Sequence, residues 1–215
     1  MFVGHYSSAF VGKALAPRVP LWVLLIAAQL VDVAWALFVL FGIERFSLDP
    51  SLPSNPLVLE YMPFTHSLVG AIAWGVLGGA IVLATPSLGG TLRAAVIAGL
   101  VVVSHWVLDL VVHRPDLTIL GGDPKLGFAL WNLPFIAFVV EIALLVATAA
   151  FYAGTTAPAT RRAVTRGVAV LIVLQIVTLL GPVPPSTAAL AVSMLGTFCG
   201  LAWAAARTEH RLARR

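Results

Sequence analysis

The sequence predicts an all-α fold: a polytopic membrane helix bundle of about six transmembrane helices, with a short N-terminal helix inserted part-way. Three observations carry this. The chain has 215 residues, of which 60% are hydrophobic and 10% charged, where a soluble domain carries roughly a quarter charged residues. Mean hydropathy is +1.00. Apolar runs of about 20 residues recur along the chain, the length that an α-helix needs to cross a bilayer.

The runs cover Pro20–Ile43, Pro63–Ala84, Thr91–His113, Leu126–Tyr152, Val164–Leu180 and Ser186–Ala206. Proline and glycine separate them at Pro50, Pro53 and Pro56, at Pro86, Gly89 and Gly90, at Gly121, Gly122 and Pro124, and at Gly181, Pro182, Pro184 and Pro185. No hydrophilic stretch is long enough for a second domain. Residues 1–215 therefore read as one integral membrane domain: a short helix over 1–18, site-bearing helices over 20–152, and two additional helices over 164–206. Gly4 to Ala16 is helical in character but too short to span. It reads as a re-entrant or half-inserted helix with His5 at its buried tip, a segment tolerated where it packs on protein. The alternative is an interfacial helix with His5 in solvent.

Charge follows the loops. Lys13, Arg18, Arg93, Arg161, Arg162, Arg166, Arg207, Arg211, Arg214 and Arg215 fall on one side of the spans. The loops on the other side are mixed or acidic, with Glu44, Arg45, Asp49 and Glu60 in one and Arg114, Asp116, Asp123 and Lys125 in another. By the positive-inside rule both termini are cytoplasmic, and the expected location is a bacterial inner membrane. The formal charge of +4 is then a topology signal. No basic stripe interleaved with aromatics suggests nucleic acid, so the expected partners are membrane lipids and a lipid-like substrate. The one cysteine, Cys199, permits no intrachain disulfide and no thiolate metal cluster. No cleavable leader is evident before the first long run.

Within the third run, His105, Asp109 and His113 recur every four residues and stack on one helix face. Ionisable groups at bilayer depth are costly and mark function. At a rise of ~1.5 Å per residue, Asp32 lies ~18 Å from the cytoplasmic edge, His105 ~18 Å, and His5 ~19 Å, with Asp109 one turn further out and His66 just below the outer edge. Groups from separate segments thus fall at similar depth. Neutral imidazoles and carboxylates together suit a divalent metal, zinc foremost, with one or two ions. His5, Asp32, His66, His105 and Asp109 are the candidate ligands. His113 and Asp116, nearer the mouth, are candidate catalytic acid and base or additional ligands. Arg114 and Lys125 are candidate substrate-binding cations, with interface anchoring as the alternative. Glu141, Asn132, Gln29 and Gln175 read as interhelical bonds. The rival uses of the cluster are a proton or ion pathway, a structural polar network, and haem ligation by paired His.

With these residues identified, the chain resembles a bacterial family of predicted membrane-bound metal-dependent hydrolases, similar to inner-membrane proteins under SOS-repressor control. Gly4-His5-Tyr6-Ser7-Ser8 resembles its N-terminal His motif, and Gln29-Leu30-Val31-Asp32 its Pro-Asp-x-Asp block, with Val31 in place of Pro and Ala34 in place of the second Asp. Thr65-His66-Ser67 resembles its Thr-His-Ser motif, and Ser104-His105-Trp106-Val107-Leu108-Asp109 its Ser-His-x-x-Leu-Asp motif. The resemblance runs from about Met1 to Glu141. It implies a metal site on His5, Asp32, His66, His105 and Asp109 and a hydrolytic reaction on a lipid-like ester, phosphoester or amide. The missing second Asp removes one ligand from a full two-metal set.

Overall fold

The computed structural model describes residues 1–214; Arg215 of the basic tail lies outside them. A single-turn 3-10 helix, Val3–His5, leads directly into α1, Tyr6–Leu15. Then follow α2 (Leu21–Ala28), α3 (Leu30–Leu40), α4 (Leu68–Ala84), α5 (Leu92–Val112), α6 (Pro134–Gly154), α7 (Pro158–Leu180) and α8 (Thr187–Ala213). The all-α expectation holds for the bundle. Four helices, α5 to α8, are long and apolar enough to cross a membrane, and a bent α2–α3 pair makes five if it counts as one span.

Several expected boundaries move. The first run is broken at Gln29, where α2 and α3 meet at 55°. No proline or glycine lies at the break. Instead the Gln29 side chain donates to the Phe2 carbonyl. The second run turns helical only at Leu68, leaving a 17-residue helix, because Ser67 stops the extended chain and accepts from the Gly70 amide as an N-cap. Residues 126–133 of the fourth run form loop and a 3-10 turn, Leu130–Asn132. The fifth run starts earlier, at Pro158, so Arg161, Arg162 and Arg166 lie on helix rather than in a loop. The last extends to Ala213.

The acidic segment after α3, expected as loop, contains an antiparallel hairpin. β1, Arg45–Leu48, pairs with β2, Leu57–Tyr61, placing Phe46 opposite Leu59 and Leu48 opposite Leu57. Phe46 and Leu59 are buried, so the hairpin covers one end of the bundle. The turn between the strands is stitched down. Arg114 donates from Nε to Asn132 Oδ1, from Nη1 to the Asn55 carbonyl and from Nη2 to the Pro53 carbonyl. Ser54 donates to the Trp131 carbonyl.

Two packing arrangements position the interior. The N-terminal segment is buried: Val3, His5, Tyr6, Ala9 and Phe10 are all below 5% exposed. His5 therefore does not sit in solvent. Glu141 on α6 accepts the Phe2 and Gly4 amides at 2.8 and 3.2 Å, satisfying the free N–H groups of the 3-10 turn with a negative charge at its positive end. Gln175 on α7 meets the Val3 amide at 3.5 Å. The second arrangement is the crossing of α4 and α5. A Cβ at Gly79 would lie 2.8 Å from the Ala95 carbonyl, and one at Gly99 2.9 Å from the Gly75 carbonyl. Only small residues let the two backbones approach so closely.

This crossing makes a prediction. Gly99→Val forces α4 and α5 apart and costs about 1–3 kcal/mol. Denaturant unfolding in detergent reads the loss; an unchanged midpoint contradicts the packing account.

Candidate metal centre

α5 supplies the middle of the site. His105 and Asp109 lie one turn apart on its buried face and His113 caps its end. α3 brings Asp32 from its first turn. The turn before α4 brings His66, and the buried N-terminal turn brings His5. All six side chains are at least nine-tenths buried. The five candidate ligands therefore converge, and His113 joins them.

Asp109 is the hub. Its Oδ1 lies 3.1 Å from His5 Nε2 and 3.6 Å from His113 Nε2, and its Oδ2 lies 3.2 Å from His105 Nε2 and 3.8 Å from His66 Nε2. Asp32 Oδ1 lies 3.4 Å from His66 Nε2 and 3.5 Å from His105 Nε2. The Met1 nitrogen also meets Asp109 Oδ1. Two sets hold all their donor atoms within 4.8 Å of one another: His5, His105 and Asp109, and Asp32, His66 and His105. Zinc with bonds of ~2.1 Å in a tetrahedron separates its ligand atoms by about 3.4 Å, which is the spacing seen here.

The outer nitrogens decide where the inner ones point. His105 Nδ1 lies 2.8 Å from the Ala28 carbonyl, an acceptor only, so Nδ1 carries the proton. Ala28 ends α2, and its carbonyl is among those a helix terminus leaves without an intrahelical partner; the break at Gln29 thus supplies the support for His105. His66 Nδ1 lies 2.9 Å from Thr65 Oγ1. That hydroxyl donates its one hydrogen to Glu44 Oε2, so the imidazole must be the donor. His113 Nδ1 donates to Asp116 Oδ1 at 3.0 Å. In all three neutral imidazoles the Nε2 lone pair then faces the cluster. Carbonyl, hydroxyl or carboxylate on one nitrogen and a metal on the other is the usual arrangement of ligating histidines.

The inner atoms do not satisfy each other. His5 Nε2 and His105 Nε2 are buried without a hydrogen-bond partner among the described residues, although each lies close to Asp109. The atoms face a common point rather than one another. The His5 and His105 rings stack at 3.6 Å, 8° from parallel, side by side toward that point. A buried donor set of this kind could hold a metal ion. His105 Nε2 offers one lone pair and serves one ion, so a second ion here needs a bridging carboxylate oxygen.

The remaining sequence candidates sit further out. His113 bridges cluster and rim, its Nε2 inward and its Nδ1 on the partly exposed Asp116. Arg114 is committed to the hairpin turn and to Asn132, so its fork is a latch rather than a free anion site. Lys125 reaches the Asp116 carbonyl at 3.4 Å. Glu141, Gln29 and Gln175 hold the N-terminal turn, and through it His5.

One residue escaped the sequence reading. Glu44, read there as a loop charge, is 1% exposed. It accepts from the Phe64 amide, the Thr65 amide and the Thr65 hydroxyl, fixing the turn that presents His66. A cavity of about 510 Å³ adjoins the cluster, with Asp32, His66, Asp109 and His113 in its wall. Comparison with family models, curated proteins and solved structures finds no match for this chain.

The support of His66 by Glu44 is testable. Glu44→Gln loosens metal binding 10–100-fold, as loss of an outer hydrogen-bond partner does, in a competitive chelator titration; unchanged affinity contradicts it. Proton and metal compete for the imidazole lone pair, so acidification releases the ion. Metal retention measured across pH 5 to 8 checks the sign: retention that rises on acidification contradicts imidazole ligation.

Proposed function

We propose that this protein is an integral-membrane hydrolase that uses a divalent metal, zinc foremost, held by His5, Asp32, His66, His105 and Asp109. The observation that carries the reading is the aim of the imidazoles. His66, His105 and His113 are each held at Nδ1 and present Nε2 to two buried carboxylates. Such a set, without a cation, confronts lone pairs with anionic oxygens in a low-dielectric interior.

The reading includes a location. The long apolar helices support a membrane location, which we read as a bacterial inner membrane with both termini cytoplasmic, following the loop arginines. The cluster then lies in the outer half. It also includes the resemblance to predicted membrane-bound metal-dependent hydrolases in the Thr65-His66-Ser67 and Ser104–Asp109 motifs.

A divalent ion in this site polarises a substrate carbonyl or phosphoryl oxygen and lowers the pKa of water. The protein's own groups do the rest. His113 takes a proton on Nε2 at the cluster, while Asp116 holds its Nδ1–H and stabilises the charged ring. Asp116 reaches solvent, so the proton leaves or returns at the rim. Hairpin and buried turn keep bulk water away, which strengthens the electrostatics within.

A conducting pathway is the competing use of such residues. It needs polar groups through the whole bundle, and the α5 segment Ala94–Val103, before Ser104, is apolar throughout.

Elemental analysis of purified protein tests the proposal. Wild type retains one to two equivalents of metal per chain, and the double variant His105→Ala, Asp109→Ala retains none and hydrolyses no p-nitrophenyl ester or phosphoester. Equal, near-zero metal in both overturns it. Proton or cation flux in liposomes that disappears with Asp32→Asn favours the pathway instead.

A further inference from the structure

α7 and α8 stand apart from the rest of the packing. α7 leans on α6 and α8 on α2 and α3, while the two scarcely touch each other. The space between them is the wall of the 510 Å³ cavity. From α7 come Leu174, Gln175, Val177 and Thr178; from α8 come Leu190, Ser193, Met194, Thr197 and Phe198. Apart from Gln175 and the hydroxyls, this wall is hydrocarbon. The inner end of the same cavity is Asp32, His66, Asp109 and His113. One chamber thus joins a dry apolar cleft to a polar, ligand-rich end.

The roof of the chamber is formed by the hairpin turn and by residues 181–184 after α7. Pro50, Leu52, Asn55 and Pro56 of the hairpin turn line it, and Arg114 and Ser54 tie that turn to the 131–132 segment. The side is open. Val177, Thr178 and Ser193 line the cavity and are themselves exposed, so the cavity reaches the surface between the two helices. Both helices belong to the long apolar set, and their outer faces carry exposed Val173, Leu180 and Val192. What lies against such faces in a membrane is lipid chain.

We propose that the gap between α7 and α8 is a lateral portal that admits one hydrocarbon chain of a membrane amphiphile and delivers its ester or phosphate head to the His/Asp cluster. The inference rests on the metal-hydrolase reading and adds the substrate class and the route. The occupant follows from three features. The cleft is lined by aliphatic and thioether groups, which suit a flexible chain. It ends at Asp32, His66, Asp109 and His113, where a bound divalent ion would take an oxygen of a phosphate or carboxyl ester. Its volume lies within the range of pockets that enclose a drug-sized ligand, enough for one chain and its head rather than a two-chain lipid body. Trp35, whose buried indole N–H has no partner among the described residues, lines the same chamber and is placed to meet the head.

The experiment uses the full chain in amphipol, loaded with zinc, and a series of methyl-, butyl-, octyl- and dodecylphosphonate followed by calorimetry. Methylphosphonate probes the head alone. Affinity is expected to rise with chain length, by up to about fourfold per methylene while the chain is being buried. Leu174→Trp and Met194→Trp fill the cleft and reduce the dodecyl-to-methyl affinity ratio at least tenfold. Val173→Trp, on the exposed face of α7 outside the cavity, keeps the wild-type ratio and controls for folding. Two results overturn the portal while leaving the metal reading intact: methylphosphonate binding with no gain along the series, or a gain that both cleft variants share undiminished. Protein that retains no zinc, or zinc-loaded protein that binds no phosphonate at all, overturns the hydrolase reading and the portal with it.

Discussion

Two carboxylates buried a few ångströms from the same imidazoles constrain everything around them. Asp32 and Asp109 share His66 and His105, and both carboxylates are buried. An unpaired ion in such a medium costs several kcal/mol at least. The fold meets that demand by convergence from four separate segments. Each segment needs a local device to bring its group inward. For His5 it is the Glu141 carboxylate at the head of the 3-10 turn. For His105 it is the free carbonyl where α2 ends, and for His66 the Thr65–Glu44 pair. None of these devices touches the centre, yet each sets the direction of a donor that does.

The legibility of the site in the sequence has a physical reason. Ionisable residues in apolar runs stand out because burial of each needs a partner, and rise per residue is enough to compare depths. His5, Asp32, His66, His105 and Asp109 could be grouped on those grounds. His113 belongs to the same helical face as His105 and Asp109 and lies at the outer edge of the group. The four-residue spacing puts its Nε2 beside Asp109 while its Nδ1 meets Asp116. Supporting residues were not legible in the same way. Glu44 is remote in sequence from the Thr65 it holds, and its charge sits beside Arg45 like any loop pair. Arg114 looks like a surface cation until its three carbonyl acceptors are in place. The break at Gln29 has neither proline nor glycine to announce it. It depends on a contact with Phe2 that exists only once the N-terminal segment is buried. The hairpin was hidden because its strands are short and its turn is rich in proline.

The distribution of packing within the bundle separates two mechanical roles. α4 and α5 cross at near backbone contact through Gly75, Gly79, Ala95 and Gly99. That crossing carries His66, at the head of α4, and His105 and Asp109, in the last turns of α5, at the same end, so the spacing of these ligands follows the main chain of the two helices. A metal site requires that stiffness, since ligand positions must hold to a fraction of an ångström. α7 and α8 have the opposite character. They contribute no candidate ligand and meet each other at few points, so they can part without disturbing the centre. α7 meets the N-terminal turn through Gln175, at 3.5 Å from the Val3 amide, close to the limit of a hydrogen bond, and α8 is held at its far end by Glu209, which accepts from the Leu21 and Trp22 amides and pairs with Lys13. A wall that yields next to a platform that does not is what a site fed from the side requires. On the proposed reading, motion for entry falls to α7, which carries no candidate ligand, while α8 stays packed on the α2 and α3 helices that position His105 and Asp32.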